Sequence, residues 1–146
     1  MDMEVKFMIA DVSKIRGIVD LCNECFDEET NYDEAIQLFN EYKDRNQIYI
    51  IGEYEGKIIA HTRIAVVPTI FKDMNTFAIL NHVCVKPEFR KHHIATKMLE
   101  VVREVCKNHG CTAMKIWSRN YRIPAHTRYK SFGFVADDST FFSVEI

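Results

Sequence analysis

Apolar residues recur along this chain with two periods, one of about two residues and one of about three and a half. Val5-Lys6-Phe7-Met8-Ile9 alternates enough to predict a first strand. Asp11 or Ser13 is placed to cap a helix whose Ile15, Ile18, Val19, Cys22 and Phe26 recur at helical spacing. A second helix from about Asn31 sets Ala35, Ile36, Phe39 and Tyr42 on one side. Gln47 to Tyr54 reads as a strand, Glu55-Gly56 as a tight turn, and Lys57 to Val67 as the hairpin partner. Phe77 to Val85 is a fourth strand, stopped by Lys86-Pro87. Ile94, Met98, Leu99, Val101, Val102, Val105 and Cys106 then form one broad face of a long amphipathic helix, ended by Gly110. Ala113 to Trp117 predicts a short buried strand. A brief helix follows around Pro124 to Phe132, with proline in its first turn and Gly133 at its end. Phe134 to Ile146 predicts a closing hairpin that turns at Asp137-Asp138-Ser139. The order β-α-α-β-β-β-α-β-α-β-β describes an α/β (α+β) protein with a mixed sheet.

Composition narrows the picture. The chain has 146 residues, 47% hydrophobic and 12% aromatic, which suits a folded core and excludes disorder. No repeat, low-complexity tract or linker interrupts it, so residues 1–146 are expected to form a single domain. A net charge of −2 supplies no basic field for a nucleic-acid backbone, and no nucleic-acid partner is expected. Met1-Asp2-Met3-Glu4 opens with acids where an export signal would be basic, and no apolar run approaches a membrane span. A cytoplasmic protein with no membrane contact is the expectation. The five cysteines are irregularly spaced and read as reduced, mostly core thiols. Cys22-Asn23-Glu24-Cys25 has redox spacing but lies inside a helix. Cys106, His109 and Cys111 lack a fourth partner for zinc, and no metal is expected.

The chemistry concentrates after the fourth strand. Val83-Cys84-Val85-Lys86-Pro87-Glu88-Phe89-Arg90-Lys91-His92-His93-Ile94-Ala95-Thr96 is a strand, a basic turn and a helix start. The N–H groups of a helix's first turn lack intrahelical partners, and the dipole adds positive potential, so a phosphate would be held there. The alternative is a solvated basic loop that only caps the helix. Val85-x-Pro87-x-x-Arg90-x-x-x-x-Ala95 before a long amphipathic helix resembles the coenzyme A motif of the GNAT superfamily of N-acetyltransferases. Ala125-His126-Thr127-Arg128-Tyr129-Lys130-Ser131-Phe132-Gly133-Phe134 is similar to that family's second landmark, Ala-x-x-x-Tyr-x-x-x-Gly-Phe.

The resemblance implies a central sheet of about seven strands flanked by four helices, with the fourth and fifth strands splayed. It implies that Val83, Cys84 and Val85 meet the pantetheine arm of acetyl-CoA. Arg90, Lys91, His92, His93, Ile94, Ala95 and Thr96 would cradle the pyrophosphate, with Arg122 as a further polar contact. The family pattern has glycine where this chain has His93, and glycine turns sharply at little steric cost. Weaker cofactor binding is therefore expected, but not its loss.

Tyr129 is the candidate to protonate the leaving coenzyme A sulfur; otherwise it is an aromatic packed beside Phe132 and Phe134. A base must take the amine's proton, yet no acid lies on the fourth strand. His82 is the candidate, because imidazole as a side-chain type exchanges protons around neutral pH. Asn81 could orient a water instead, and Glu24, Glu28 and Glu29 at the first helix junction are fallback acids. Glu28 and Asn81 are also expected to touch the acceptor. Residues 81 and 82 face opposite sides of a regular strand, so only one lines a cleft unless a bulge intervenes. His82 and Cys84 would share a face, which raises a Cys/His nucleophile, although no third orienting residue is evident.

The expected activity is direct acetyl transfer to a primary amine of a small molecule by a homodimer. Arg122-x-x-Ala125-His126 is loosely similar to aminoalkylphosphonate acetyltransferases, which suggests a small amine. Two alternatives stay open: a non-catalytic coenzyme A sensor or interaction module, and an acetyltransferase for peptide or protein amines. Specificity is expected from the first two helices and the loop from Pro68 to Thr76.

Overall fold

The computed structural model describes residues 3–71 and 75–146. Residues 72–74, within the Pro68 to Thr76 loop expected to shape specificity, lie outside them. Strand β1 (Lys6–Ile9) leads into a 3₁₀ turn, Val12–Lys14. Of the two candidate caps, Asp11 does the work: its carboxylate accepts the Ser13 N–H at 2.9 Å. Helix α1 (Ile15–Phe26) buries Ile15, Ile18, Val19, Leu21 and Cys22. Asn31 caps α2 (Tyr32–Tyr42) by accepting the Glu34 N–H at 3.1 Å, with Asp33 and Glu34 in its first turn.

Strands β2 (Gln47–Tyr54) and β3 (Lys57–Val67) form the expected hairpin. Its turn residues Glu55 and Gly56 have φ of 50° and 77°, the left-handed pair that a two-residue hairpin loop requires. Strand β4 (Phe77–Val85) is followed by α3 (Ile94–Asn108), β5 (Ala113–Ile116) and α4 (Ile123–Phe132). The strands run in the order β1-β2-β3-β4-β5; the first four are antiparallel and β5 is parallel to β4.

Two apolar layers sandwich this sheet. Ile50 and Ile51, both 0% exposed, point to opposite faces as strand alternation demands. Ile50 joins Ile59, Ile64, Leu80, Met98, Leu99 and Val102 in a core with α3, and Ile51 joins Ile15, Ile18, Leu21 and Phe39 beneath α1 and α2. No helix among the described residues is long and apolar enough to cross a membrane.

The sheet has five strands among the described residues, not about seven. The closing hairpin predicted for Phe134 to Ile146 does not form. Phe134 packs against Tyr129 and Phe132, but beyond it Val135, Phe142 and Val144 are 89%, 85% and 88% exposed. Alternating apolar residues make a strand only where a neighbouring backbone accepts their hydrogen bonds, and this segment has no such partner among the described residues.

Candidate active site

The ladder between β4 and β5 runs from Phe77↔Ala113 to Leu80↔Ile116 and stops there, while β4 continues to Val85. The two strands therefore part, and among the described residues the β5-facing edge of β4 has no strand partner from Asn81 onward. Within this free half, β4 also bulges. Arg63 pairs with Asn81 and His61 with Cys84, so His82 and Val83 together face Thr62. His82 takes the strain, with φ of 53°.

The bulge decides which side chains line the cleft. Asn81 turns to β3, where its Oδ1 accepts Arg63 Nε–H at 2.9 Å. His82 turns to the end of α1. Its Nε2 lies 2.8 Å from Glu28 Oε1, and its ring meets Phe26 edge to face at 5.0 Å. Two residues expected separately in the site are thus in contact. Cys84 lies on the α1 side of the sheet, as His82 does. It is 5% exposed in the core beneath α1, and only its backbone is available to a ligand. Hydrogen bonds to Cys22 and Cys25, together with burial, push the Cys84 thiol up and remove it as a nucleophile.

The turn after β4 supplies the second part. Val85 is buried, and its carbonyl accepts Arg90 Nε–H at 3.0 Å and the Cys25 thiol at 3.6 Å, so Arg90 folds back on the strand end. Lys91 and His93 adopt left-handed φ of 66° and 60°. His93 therefore takes the conformation for which glycine is usual, and its side chain does not cap the helix. The first turn of α3 is left without a side-chain cap. Lys91, His92 and His93 are exposed around it, while Ile94 and Ala95 are buried in the α3 core and contribute backbone, with Thr96 half-buried.

Helix α4 supplies the third part. Tyr129 is half-buried, packs edge to face on Phe134 at 5.8 Å, and has Arg122, Arg128 and Cys84 as charged or titratable neighbours. Burial raises its pKa above the ordinary phenol value, while the two arginines oppose that shift. Arg122 stacks over Phe26 with its guanidinium carbon 5.3 Å from the ring centre. That contact joins the start of α4 to the end of α1 across the cleft, so the residue expected to meet the cofactor closes one side of it.

Phe26 was legible only as a core position, because helical spacing does not reveal that the last turn of α1 overhangs a splayed strand. Cys25 was legible only as a core thiol. A hydrogen bond from Cys84, with Arg90 nearby, lowers its pKa to about 7. Two surface hollows, of about 250 Å³ beside Arg103 and about 400 Å³ between α1 and the β2–β3 hairpin, lie away from His82 and Tyr129. The candidate site is an open cleft.

The mixed sheet whose last two strands part beside the start of α3 has the architecture of an acetyltransferase domain. The sequence profile of the Acetyltransferase (GNAT) family matches residues 15–134, and the chain belongs to that family. Solved structures agree on the fold. Glucosamine-6-phosphate N-acetyltransferase from Arabidopsis thaliana is 18% identical, with a TM-score of 0.81 over 97% of this chain and 98% of that one. The aminoglycoside N-acetyltransferase AAC(6')-Iy in complex with CoA is 14% identical, with a TM-score of 0.85 over 99% of this chain and 97% of that one. A transcriptional regulator from Bacillus halodurans C-125 is 17% identical, with a TM-score of 0.86 over 98% of this chain and 100% of that one. No curated protein sequence matches at a significant level.

Proposed function

We propose that the chain transfers an acetyl group from acetyl-CoA directly to the primary amine of a small molecule. One observation carries the reading: the unpaired half of β4 leads from the uncapped N-terminus of α3 to the bulge at His82, with Tyr129 alongside. The residues present fit a coenzyme A thioester. The free β4 edge around Val83 offers backbone groups to a pantetheine amide, and the open first turn of α3 with Lys91 and His92 offers donors and charge to a pyrophosphate.

When bound, acetyl-CoA supplies a thioester carbonyl carbon for the amine nitrogen to attack. His82 takes a proton from the ammonium group so that the nitrogen lone pair is free. Tyr129 donates its phenolic proton to the departing sulfur. Arg122 and Phe26 close the acceptor side of the cleft. Cys84 is buried and Cys25 is bonded to Val85, which favours direct attack over an acyl-enzyme route. The acetylated small amines named for two structural neighbours support the acceptor class.

Calorimetric titration with acetyl-CoA, followed by thiol release with glucosamine 6-phosphate, kanamycin and ethanolamine, tests the proposal. Micromolar binding and amine-dependent thiol release are expected. Absence of binding up to millimolar acetyl-CoA would overturn it. Binding with no release from small amines, but release from a peptide N-terminus, would move the acceptor to the peptide class.

A further inference from the structure

The contact between His82 and Glu28 is built from two backbones that are fixed independently. On one side, Asp27 ends α1 with a left-handed φ of 51°, and the Glu28 N–H donates back to the Asn23 carbonyl at 3.2 Å. The Asn23 side chain then clasps Thr30 at both ends: Nδ2 donates to its carbonyl at 3.3 Å and Oδ1 accepts its N–H at 3.0 Å. This clasped turn presents the Glu28 carboxylate. On the other side, the β4 bulge swings His82 out of the sheet, and the Phe26 edge holds its ring. The two meet at 2.8 Å although they lie 54 residues apart in sequence.

The bond has a chemical consequence. An ionised carboxylate only accepts, so Nε2 carries the hydrogen and Nδ1 keeps its lone pair. Nδ1 makes no hydrogen bond among the described residues, and the side chain is 43% exposed to the cleft. We infer that Glu28 is a positioning residue, holding the neutral His82 ring with Nδ1 bare toward the acceptor and stabilising the imidazolium once the proton arrives. This goes beyond contact of Glu28 with the acceptor and rests on His82 being the base. Other titratable or charged groups around His82 are His61 of β3, which burial keeps neutral, and Arg122 on the far side of Phe26; Arg63, a neighbour of His61, is held by Asn81.

The test pairs a spectroscopic readout with kinetics on the full chain. A pair this exposed contributes little to stability, so the Glu28→Gln variant is expected to fold and melt like the parent. Long-range ¹H–¹⁵N NMR of His82 in the parent protein should show the Nε2–H tautomer. In Glu28→Gln, whose amide can donate as well as accept, the tautomers should mix. With acetyl-CoA and whichever of glucosamine 6-phosphate, kanamycin and ethanolamine turns over fastest, kcat should fall about 10-fold and both KM values should hold. The Glu28→Gln/His82→Asn double variant should lose no more than His82→Asn alone. An unchanged tautomer, a loss confined to the amine KM, or multiplicative losses would each overturn the inference. If the parent turns over no amine while His82 keeps the Nε2–H tautomer, the acetyltransferase reading fails. The contact then stands only as a tether between α1 and β4, and the positioning role falls with it.

Discussion

Tyr129 is the residue at which burial and charge compete most directly for a chemical role. Desolvation raises its pKa while Arg128 and Arg122 pull it down, and the net direction is up, so the phenol stays protonated at neutral pH. A proton donor to a thiolate leaving group needs that state. Tyr129→Phe deletes one oxygen and leaves the packing on Phe134. It should lower kcat for thiol release by about 10- to 100-fold, with calorimetry showing unchanged acetyl-CoA binding. As candidates, both Tyr129 and His82 were legible from motif and strand position. The pairing of His82 with Glu28 was not, because Glu28 was expected at the acceptor and as a fallback acid, and only the Asn23-clasped turn sets it against the His82 ring.

At the scale of elements, the loop from Arg90 to His93 shows how a chain keeps a turn without the usual glycine. A non-glycine residue in the left-handed region costs roughly 1–2 kcal/mol, whereas glycine there adds about 0.5–1 kcal/mol of backbone entropy. His93→Gly should therefore raise stability by about 0.5–1 kcal/mol in urea unfolding, and acetyl-CoA affinity should hold or tighten because the helix N–H groups stay in place. The expectation of weaker binding rested on the residue type; His93 keeps the left-handed backbone with φ of 60°, and titration of the parent beside His93→Gly measures the effect on affinity. The last segment teaches the opposite lesson. Phe134 to Ile146 carries a strand-like pattern, but a strand is a relation between two backbones, and no partner for it was readable from its own residues.

For the whole molecule, α3 and the sheet stand or fall together. Leu99 is 0% exposed between them, so Leu99→Ala should cost about 2–5 kcal/mol in denaturant unfolding, and acetyl-CoA binding should weaken wherever the unfolded population becomes appreciable. A pH dependence is also built in. His61 is 2% exposed, and burial lowers its pKa to about 4 although its Nδ1–H donates to the Ile50 carbonyl at 2.8 Å. The unfolded chain protonates His61 near pH 6.5 and the folded chain only near 4, so the unfolded state binds the extra proton between them. Stability should be full above pH 6.5 and fall by about 3 kcal/mol as pH drops toward 4. Urea midpoints across that range should show this limb in the parent and a shallower one in His61→Gln.

The sequence by itself determined the order of the elements through the β4–β5 connection, the caps, the hairpin turn and the two motifs that resemble the family. Each of these is encoded by neighbours within a few residues: a side-chain oxygen near an N–H, a glycine at a left-handed position, an apolar period. Only the tertiary structure decided the bulge at His82, the burial of Cys84, the pairing of His82 with Glu28 and the stacking of Arg122 on Phe26. Those depend on how far one strand slips against another and on where a helix end comes to rest over it. The energies that set such placements are summed over contacts distant in sequence, and no local window of residues contains them.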